Sequence, residues 1–229
     1  MLLSHRLIIA LFGLCLHLSV HGETPAWQVL PGGFNSQSVA DEMRLNGVPM
    51  KIISVNSKLP LEKALAEVKR SWSLQPGAAN IERTTLGQWQ VLNQRYGEQH
   101  RSLQLREAGN DSVEGYLALS SPAQTREPKP AIRLPSDVQT VSITESQDGS
   151  KQAQQIVAVS PRSVDAIASA IESSLRAEGW KKQVNRKESG VIYFSADRNK
   201  DKLTQEFDAR VMPQKNGTLI FMNTLLHPN

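Results

Sequence analysis

Residues 138–175 read VQTVSITESQDGSKQAQQIVAVSPRSVDAIASAIESSL, and this stretch decides the fold that the sequence predicts. Two runs rich in β-branched residues flank the dipeptide Asp148-Gly149, a combination typical of a β-hairpin. Five apolar residues then recur at the spacing of one face of an α-helix: Val164, Ile167, Ala168, Ile171 and Leu175. Ser163 is expected to cap the start of this helix, and Gly179 to end it.

The same pattern occurs earlier in the chain, where residues 43–72 read MRLNGVPMKIISVNSKLPLEKALAEVKRSW. The turn dipeptide is Asn46-Gly47, which precedes Asp148-Gly149 by 102 positions. The helical face recurs at an offset of 103 and consists of Leu61, Ala64, Leu65, Val68 and Trp72. A repeat of this length indicates duplication of a small domain.

Three further strands are expected to close each half. In the first half they are 89–96, 99–107 and 113–119, and in the second half they are 191–196, 203–212 and 218–226. Each half therefore reads ββαβββ, and the predicted fold class is α+β: two tandem similar domains, each with one helix packed on an antiparallel sheet.

The predicted boundaries follow from composition. Prolines are frequent between the halves, which indicates an extended and semi-rigid connector. The segments are a signal peptide at 1–22, a lead-in loop at 23–40, a first domain at 41–119, a Pro-rich linker at 120–137 and a second domain at 138–229.

The first 22 residues have the three parts of a cleavable signal peptide. Arg6 precedes an apolar run from Leu7 to Leu18, and small or compact residues then lead to an expected cleavage before Glu23. The run is shorter than the ~20 residues of a spanning helix, which disfavours a retained anchor. A lipoprotein is the other alternative, but Cys15 lies inside the apolar run instead of ending it. We expect an exported, periplasmic protein with no membrane span after cleavage.

Cleavage would leave few residues suited to catalysis. The mature chain would hold no cysteine and only His100 and His227, so disulfides and thiol chemistry are excluded. No Gly-x-Ser-x-Gly elbow or phosphate loop occurs. Glu206 and Asp208 are expected to share a strand face, where a solvated surface is the favoured interpretation. The sequence therefore predicts no catalytic, cofactor or metal site, and not an enzyme.

The charge is nearly balanced, since 25 Lys and Arg oppose 22 Asp and Glu once Arg6 is removed. Nucleic-acid binding therefore gains little support. Four basic residues cluster after Trp180 and form a possible interaction patch: Lys181, Lys182, Arg186 and Lys187. The alternative is an ordinary solvated loop.

Tryptophans in the mature part are interpreted mainly as core residues. Trp72 and Trp180 are expected to anchor the helices, and Trp89 is expected under its own helix, although an aromatic sugar-binding platform is an alternative.

Three functional hypotheses follow. The first is a non-enzymatic periplasmic interaction or adaptor protein with a protein partner in the cell envelope, accessory to an assembly, pilus or secretion system. The second is a module that binds a small molecule or a glycan. The third is an envelope hydrolase.

Overall fold

A computed structural model describes residues 30–40, 42–75 and 79–228 of the chain. The predicted signal peptide, its cleavage site, Cys15 and Trp27 lie outside the described residues. Neither of the two α-helices in the described ranges is long and apolar enough to cross a membrane.

The described chain consists mainly of antiparallel strands. The first half contains β1 Phe34–Ser38, β2 Glu42–Leu45, β3 Val48–Ser57, α1 Leu61–Ser73, β4 Glu82–Leu86, β5 Trp89–Tyr96, β6 Gln99–Gly109 and β7 Ser112–Ser120. The second half contains β8 Gln139–Asp148, β9 Lys151–Ser160, α2 Val164–Ala177, β10 Lys181–Glu188, β11 Val191–Lys200, β12 Leu203–Gln214 and β13 Gly217–Pro228. A 3-10 helix, Pro122–Gln124, lies between the halves.

All thirteen strands belong to one sheet, so the prediction of two tandem α+β domains, each with its own sheet, is wrong. The order is β10-β11-β12-β13-β9-β8-β2-β3-β7-β6-β5-β4, and β1 pairs with β3 beside β2. The halves merge because β2 pairs with β3 on one edge and with β8 on the other. Alternation of apolar residues fixes which face of a strand is buried but not which strand lies beside it, so the sequence did not reveal this pairing.

Each predicted domain, 41–119 and 138–229, contains one more strand than the predicted ββαβββ order. The additional strands, β4 and β10, follow the helices and form the two ends of the sheet. In β10 all eight residues are exposed, and their sequence KKQVNRKE has no apolar alternation to mark a strand. The predicted lead-in loop also contains a strand, because β1 pairs with β3 from Phe34 to Ser38. The two halves meet where β2 pairs with β8, and we call this pairing the junction. From the junction outward, the strand order is the same in both halves.

Both helices pack on the same face of the sheet. Ile53 belongs to the core under α1 and shares a face of β3 with Pro49. Pro49 pairs across the strands with Arg44 of β2, and Arg44 pairs with Glu145 of β8. Glu145 shares its face of β8 with Ile143, which belongs to the core under α2. Residues facing α1 and residues facing α2 therefore lie on one continuous surface.

The two helices begin where the sequence predicted, and each buries four of the five residues of its predicted apolar face. Four residues of α1 are buried, namely Ala64, Leu65, Val68 and Trp72, and so are four of α2, namely Ile167, Ala168, Ile171 and Leu175. The Ser163 hydroxyl accepts a hydrogen bond from the Ala166 amide at 3.4 Å, as expected for an N-cap. Gly179, with φ +84°, ends α2, and the Trp180 amide donates back to the Leu175 carbonyl at 3.0 Å.

The predicted linker packs along the helix-bearing face between α1 and α2. Ile132 is 4 % exposed and belongs to the second core. The Gln154 side chain holds the linker backbone, accepting from the Ala131 amide at 2.6 Å and donating to the Lys129 carbonyl at 2.8 Å. Residues 120–137 are therefore attached to the sheet in the structure.

Hydrogen bonds from the turn between β2 and β3 to β8 stabilise the junction. The Asn46 amide donates to the Ile143 carbonyl, and the Asn46 side-chain oxygen accepts from the Ile143 amide, each at 2.8 Å. Gly47 contacts the linker so closely that a Cβ atom there would lie 1.6 Å from the Arg126 carbonyl oxygen. Sheet, turn and linker thus meet at one point.

Candidate interaction surface

The sheet face opposite α1 and α2, here called the open face, carries no covering layer among residues 30–40, 42–75 and 79–228. Strand alternation defines its residues: Leu92 and Phe194 point into the two cores, so Val91 and Tyr193 belong to the open face. One cross-strand row runs over this face from Arg95 to Lys181, through eleven strands. The open face is therefore continuous across the junction.

Tyr193 and two arginines form a cluster near the β10 end of the open face. The guanidinium carbon of Arg186 lies 5.0 Å from the Tyr193 ring centroid, and that of Arg210 lies 5.6 Å from it. We call Tyr193, Arg186 and Arg210 the tyrosine cluster. Arginine and tyrosine are enriched among residues that dominate protein interfaces.

Trp89, Tyr116 and Arg106 form a second cluster, the tryptophan cluster, toward the other end of the open face. The Trp89 and Tyr116 rings have centroids 6.3 Å apart at an interplanar angle of 41°, and the Arg106 guanidinium lies 4.8 Å from the Trp89 ring. Arg106 also pairs with Glu114 at 2.5 Å. Tyr116 and Tyr193 lie seven strand-to-strand steps apart, about 34 Å along the sheet. The prediction that Trp89 packs under its helix is wrong, because Trp89 shares the open face with Val91.

Apolar side chains lie on the strands between the two clusters. Ile52 and Val157 are each 7 % exposed but belong to neither core cluster. Met43, Met50 and Phe221 lie on the same face and are half-buried. The open face thus combines an apolar middle with aromatic and arginine-containing ends.

The four residues of the predicted basic patch lie on β10, but on both faces of that strand. Lys182 and Lys187 lean toward the helix and pair with carboxylates of α2, at 2.9 Å to Glu172 and 2.7 Å to Asp165. Lys181, opposite Asp197, and Arg186, opposite Tyr193, lie on the open face. The structure therefore brings Arg186 to the tyrosine cluster and places two of the lysines elsewhere.

The two histidines lie far apart on the open face. His100 on β6 and His227 on β13 are six strand-to-strand steps apart, about 29 Å along the sheet. His227 contacts Glu206 at 3.1 Å, and Asp208 accepts from the Asn223 amide at 3.1 Å. Within the described ranges, no group of three or more His, Cys, Asp or Glu residues is arranged to hold a metal ion.

Trp72 and Trp180 are 0 % and 4 % exposed, which confirms their predicted place in the core. Each is covered by an arginine that sequence reasoning missed. Arg101 lies over Trp72, and Arg198 lies over Trp180 with its guanidinium carbon 4.4 Å from the ring centroid.

Arg101 is held by neutral oxygens. It donates to Gln94 Oε1 at 2.7 Å, to Gln75 Oε1 at 2.6 Å and to the Trp72 carbonyl at 3.4 Å. Burial lowers the pKa of Arg101 to about 10, because a guanidinium removed from water loses hydration. Its pattern of contacts is structural: it ties β5 and β6 to the C-terminal end of α1, where the helix dipole favours a cation.

Two depressions in the described surface are too small or too open for an obvious ligand site. One lies beside Trp180 and Glu172, and its volume of about 30 Å³ suits a water molecule. The other has about 370 Å³ and opens broadly to solvent between the β5–β6 turn and the 3-10 helix, with Tyr96 and Gln99 in its lining.

No protein-family model matches this chain, and neither does any curated protein compared with it. Among solved structures, it aligns with the apo structure of the immunity protein TplEi of the T6SS from Pseudomonas aeruginosa. The two share 8 % identity over 87 % of this chain and 84 % of that chain, with a TM-score of 0.31. A similarity this low carries no argument about fold or function.

Proposed function

We propose that this chain is an exported, non-enzymatic binding protein that takes up a protein partner of the cell envelope on its open face. One observation carries the proposal. Both helices and the linker occupy one side of a thirteen-stranded sheet, whereas the other side displays two aromatic–arginine clusters around an apolar middle. This combination matches the composition of protein interfaces, whose centres are rich in aromatic residues, methionine and arginine.

Its compartment is proposed from the sequence. The signal peptide at 1–22 would direct the chain to the periplasm, where a mature protein without cysteine forms no disulfide. There it would serve as an interaction or adaptor protein in an assembly, pilus or secretion system.

A small-molecule or glycan site remains the second candidate, because the Trp89–Tyr116 pair could support a sugar ring. The two rings are tilted by 41° and Arg106 lies close to one of them, which leaves less flat aromatic surface than a sugar platform needs. We therefore favour a protein partner.

Site-specific crosslinking tests the proposal. The mature chain would contain no cysteine, so a photoreactive thiol reagent would label only an introduced one. Ser102→Cys and Ser195→Cys place the label on the open face, and Ala66→Cys and Ser169→Cys place it on exposed positions of the helices. We expect the same envelope protein to be crosslinked from both open-face positions and from neither helix position. Equal capture from the helices would contradict the proposal.

A further inference from the structure

β10 is an end strand whose outer backbone edge is unpaired. Within the described residues it pairs only with β11, and all eight of its residues are exposed. A register shift occurs between Lys182 and Val184, after which Val184 to Glu188 pair regularly with Ser195 to Val191. This regular stretch presents five residues of strand edge to solvent, and such an edge can accept a further strand.

The charges on β10 favour an acidic occupant. Four cations lie on this strand, Lys181, Lys182, Arg186 and Lys187, against the single carboxylate of Glu188. On the open face, Arg186 lies 3.8 Å from the exposed Glu188, a contact that contributes little in water. Val184 beside it is 53 % exposed, so this edge offers a cation, an aromatic ring and an apolar side chain together.

Lysines on an end strand can also serve to repel other strands. On β10, however, Lys182 and Lys187 are paired with Glu172 and Asp165 on the helix-bearing side. Their charges are therefore largely compensated on that side. On the open-face side, Arg186 and Arg210 both lie beside the Tyr193 ring. Among the described residues only the carboxylate of Glu188 pairs with either arginine, so the tyrosine cluster keeps an excess of positive charge.

The opposite end of the sheet differs. On β4, Arg83 is hydrogen-bonded to both carboxylate oxygens of Glu62, at 2.8 and 2.6 Å. This contact lowers the pKa of Glu62 and pairs the only cation of β4, so the unbalanced charge on that strand is the carboxylate of Glu82. The two ends are therefore not equivalent as docking sites.

We propose that the outer edge of β10 takes up one extended, acidic segment of a protein partner as an additional strand of the sheet. Backbone hydrogen bonds would supply the pairing, and Arg186 with Lys181 would select acidic side chains on the open face. A second copy of this chain fits poorly, because each β10 strand carries four cations and one carboxylate, and pairing two such strands brings like charges together. This inference rests on the proposed function and narrows it to one edge.

A fluorescein-labelled peptide, Glu-Thr-Glu-Val-Glu-Thr-Glu, serves as the probe, with binding to the mature chain followed by fluorescence anisotropy. We expect saturable binding that weakens by about tenfold or more in Arg186→Glu. Arg70→Glu makes the same change in net charge on the exposed surface of α1 and should weaken binding by no more than about twofold.

Two N-methylated probes separate strand pairing from charge attraction alone. Methyl groups on one alternate set of amides face the β10 edge and should abolish binding, whereas methyl groups on the other set should leave it nearly unchanged. Equal binding of both methylated probes, absence of binding by the parent peptide, or equal weakening in Arg70→Glu would each overturn the inference.

Vesicles containing anionic phospholipid test whether the β10 edge binds an anionic membrane surface instead of an acidic protein segment. Vesicle binding that is lost in Arg186→Glu, without peptide binding, would identify a membrane surface and also overturn the inference. Face-specific crosslinking from Ser102→Cys and Ser195→Cys would still uphold the proposed function in that case, so the two failures are distinguishable.

Discussion

Arg101 lies over the indole ring of Trp72, with its guanidinium carbon 4.1 Å from the ring centroid, and both residues are almost fully buried. In the second half Arg198 lies over Trp180 in the same way, but the arginine and its glutamine partner have exchanged strands. Arg101 on β6 pairs across the strands with Gln94 on β5, whereas Arg198 on β11 pairs with Gln205 on β12. Gln94 and Arg198 therefore occupy corresponding strands, as do Arg101 and Gln205.

Arg101→Lys should lower the free energy of unfolding by about 1–3 kcal/mol, because an ammonium group cannot reach Gln94, Gln75 and the Trp72 carbonyl together. Urea denaturation measures the change. Arg106→Lys is the matched control, since Arg106 also stacks on a tryptophan but lies on the partly solvated open face. Its effect should stay within about 0.5 kcal/mol. Equal losses in the two variants would argue against a structural role for Arg101.

Trp72→Ala and Leu175→Ala should each lower the free energy of unfolding by about 2–5 kcal/mol, because both side chains are buried between helix and sheet. Leu74→Ala removes a side chain that is 81 % exposed and should change it by less than about 0.5 kcal/mol. Thermal and urea unfolding report both effects. An unchanged midpoint for either core variant would show that the helix register is misassigned.

Gly47→Ala should detach the linker from the turn between β2 and β3, since the added Cβ atom would collide with the Arg126 carbonyl. Gly149→Ala is the control: Gly149 has a φ of +57° in the equivalent turn, but a Cβ atom there meets nothing within 4 Å. Both variants should be destabilised by roughly 1–2 kcal/mol, because alanine is strained at a positive φ that glycine adopts freely. Only Gly47→Ala should speed hydrogen exchange at the Arg126 amide, which donates to the Gly47 carbonyl at 3.2 Å.

The exported protein should begin at Glu23, because residues 1–22 combine a basic start, an apolar run and a compact cleavage site. Mass spectrometry of protein purified from the periplasm gives the N-terminus directly. A chain that retains residues 1–22, or carries a lipid on Cys15, would contradict the proposed localisation.

Sequence patterns predicted the elements of this fold better than their assembly. The 3.6-residue period in α1 and α2 identified the buried helix residues, since each helix must bury a single stripe. The junction could not be predicted in the same way. Leu45 and Thr144 pair through backbone atoms, and their side chains carry no signal that β2 and β8 are neighbours.

The candidate surface was predicted only in part. The four basic residues of β10 were recognised as a cluster, but the register shift between Lys182 and Val184 places Lys182 and Arg186 on opposite faces of the strand. The residues that define the open face, Tyr193 and Trp89 among them, become recognisable only when both helices are known to lie on the other side.

The central claim is that the open face binds a protein partner, and the affinity of Tyr193→Ser for the crosslinked and purified partner tests it most directly. Isothermal titration calorimetry should show affinity reduced by about tenfold or more, because Tyr193 is the aromatic centre of the tyrosine cluster. Tyr96→Ser makes the same change outside the open face and should bind nearly as the unmodified chain does. Unchanged affinity in Tyr193→Ser, with a loss in Tyr96→Ser instead, would contradict the account and move the site to the depression beside Tyr96.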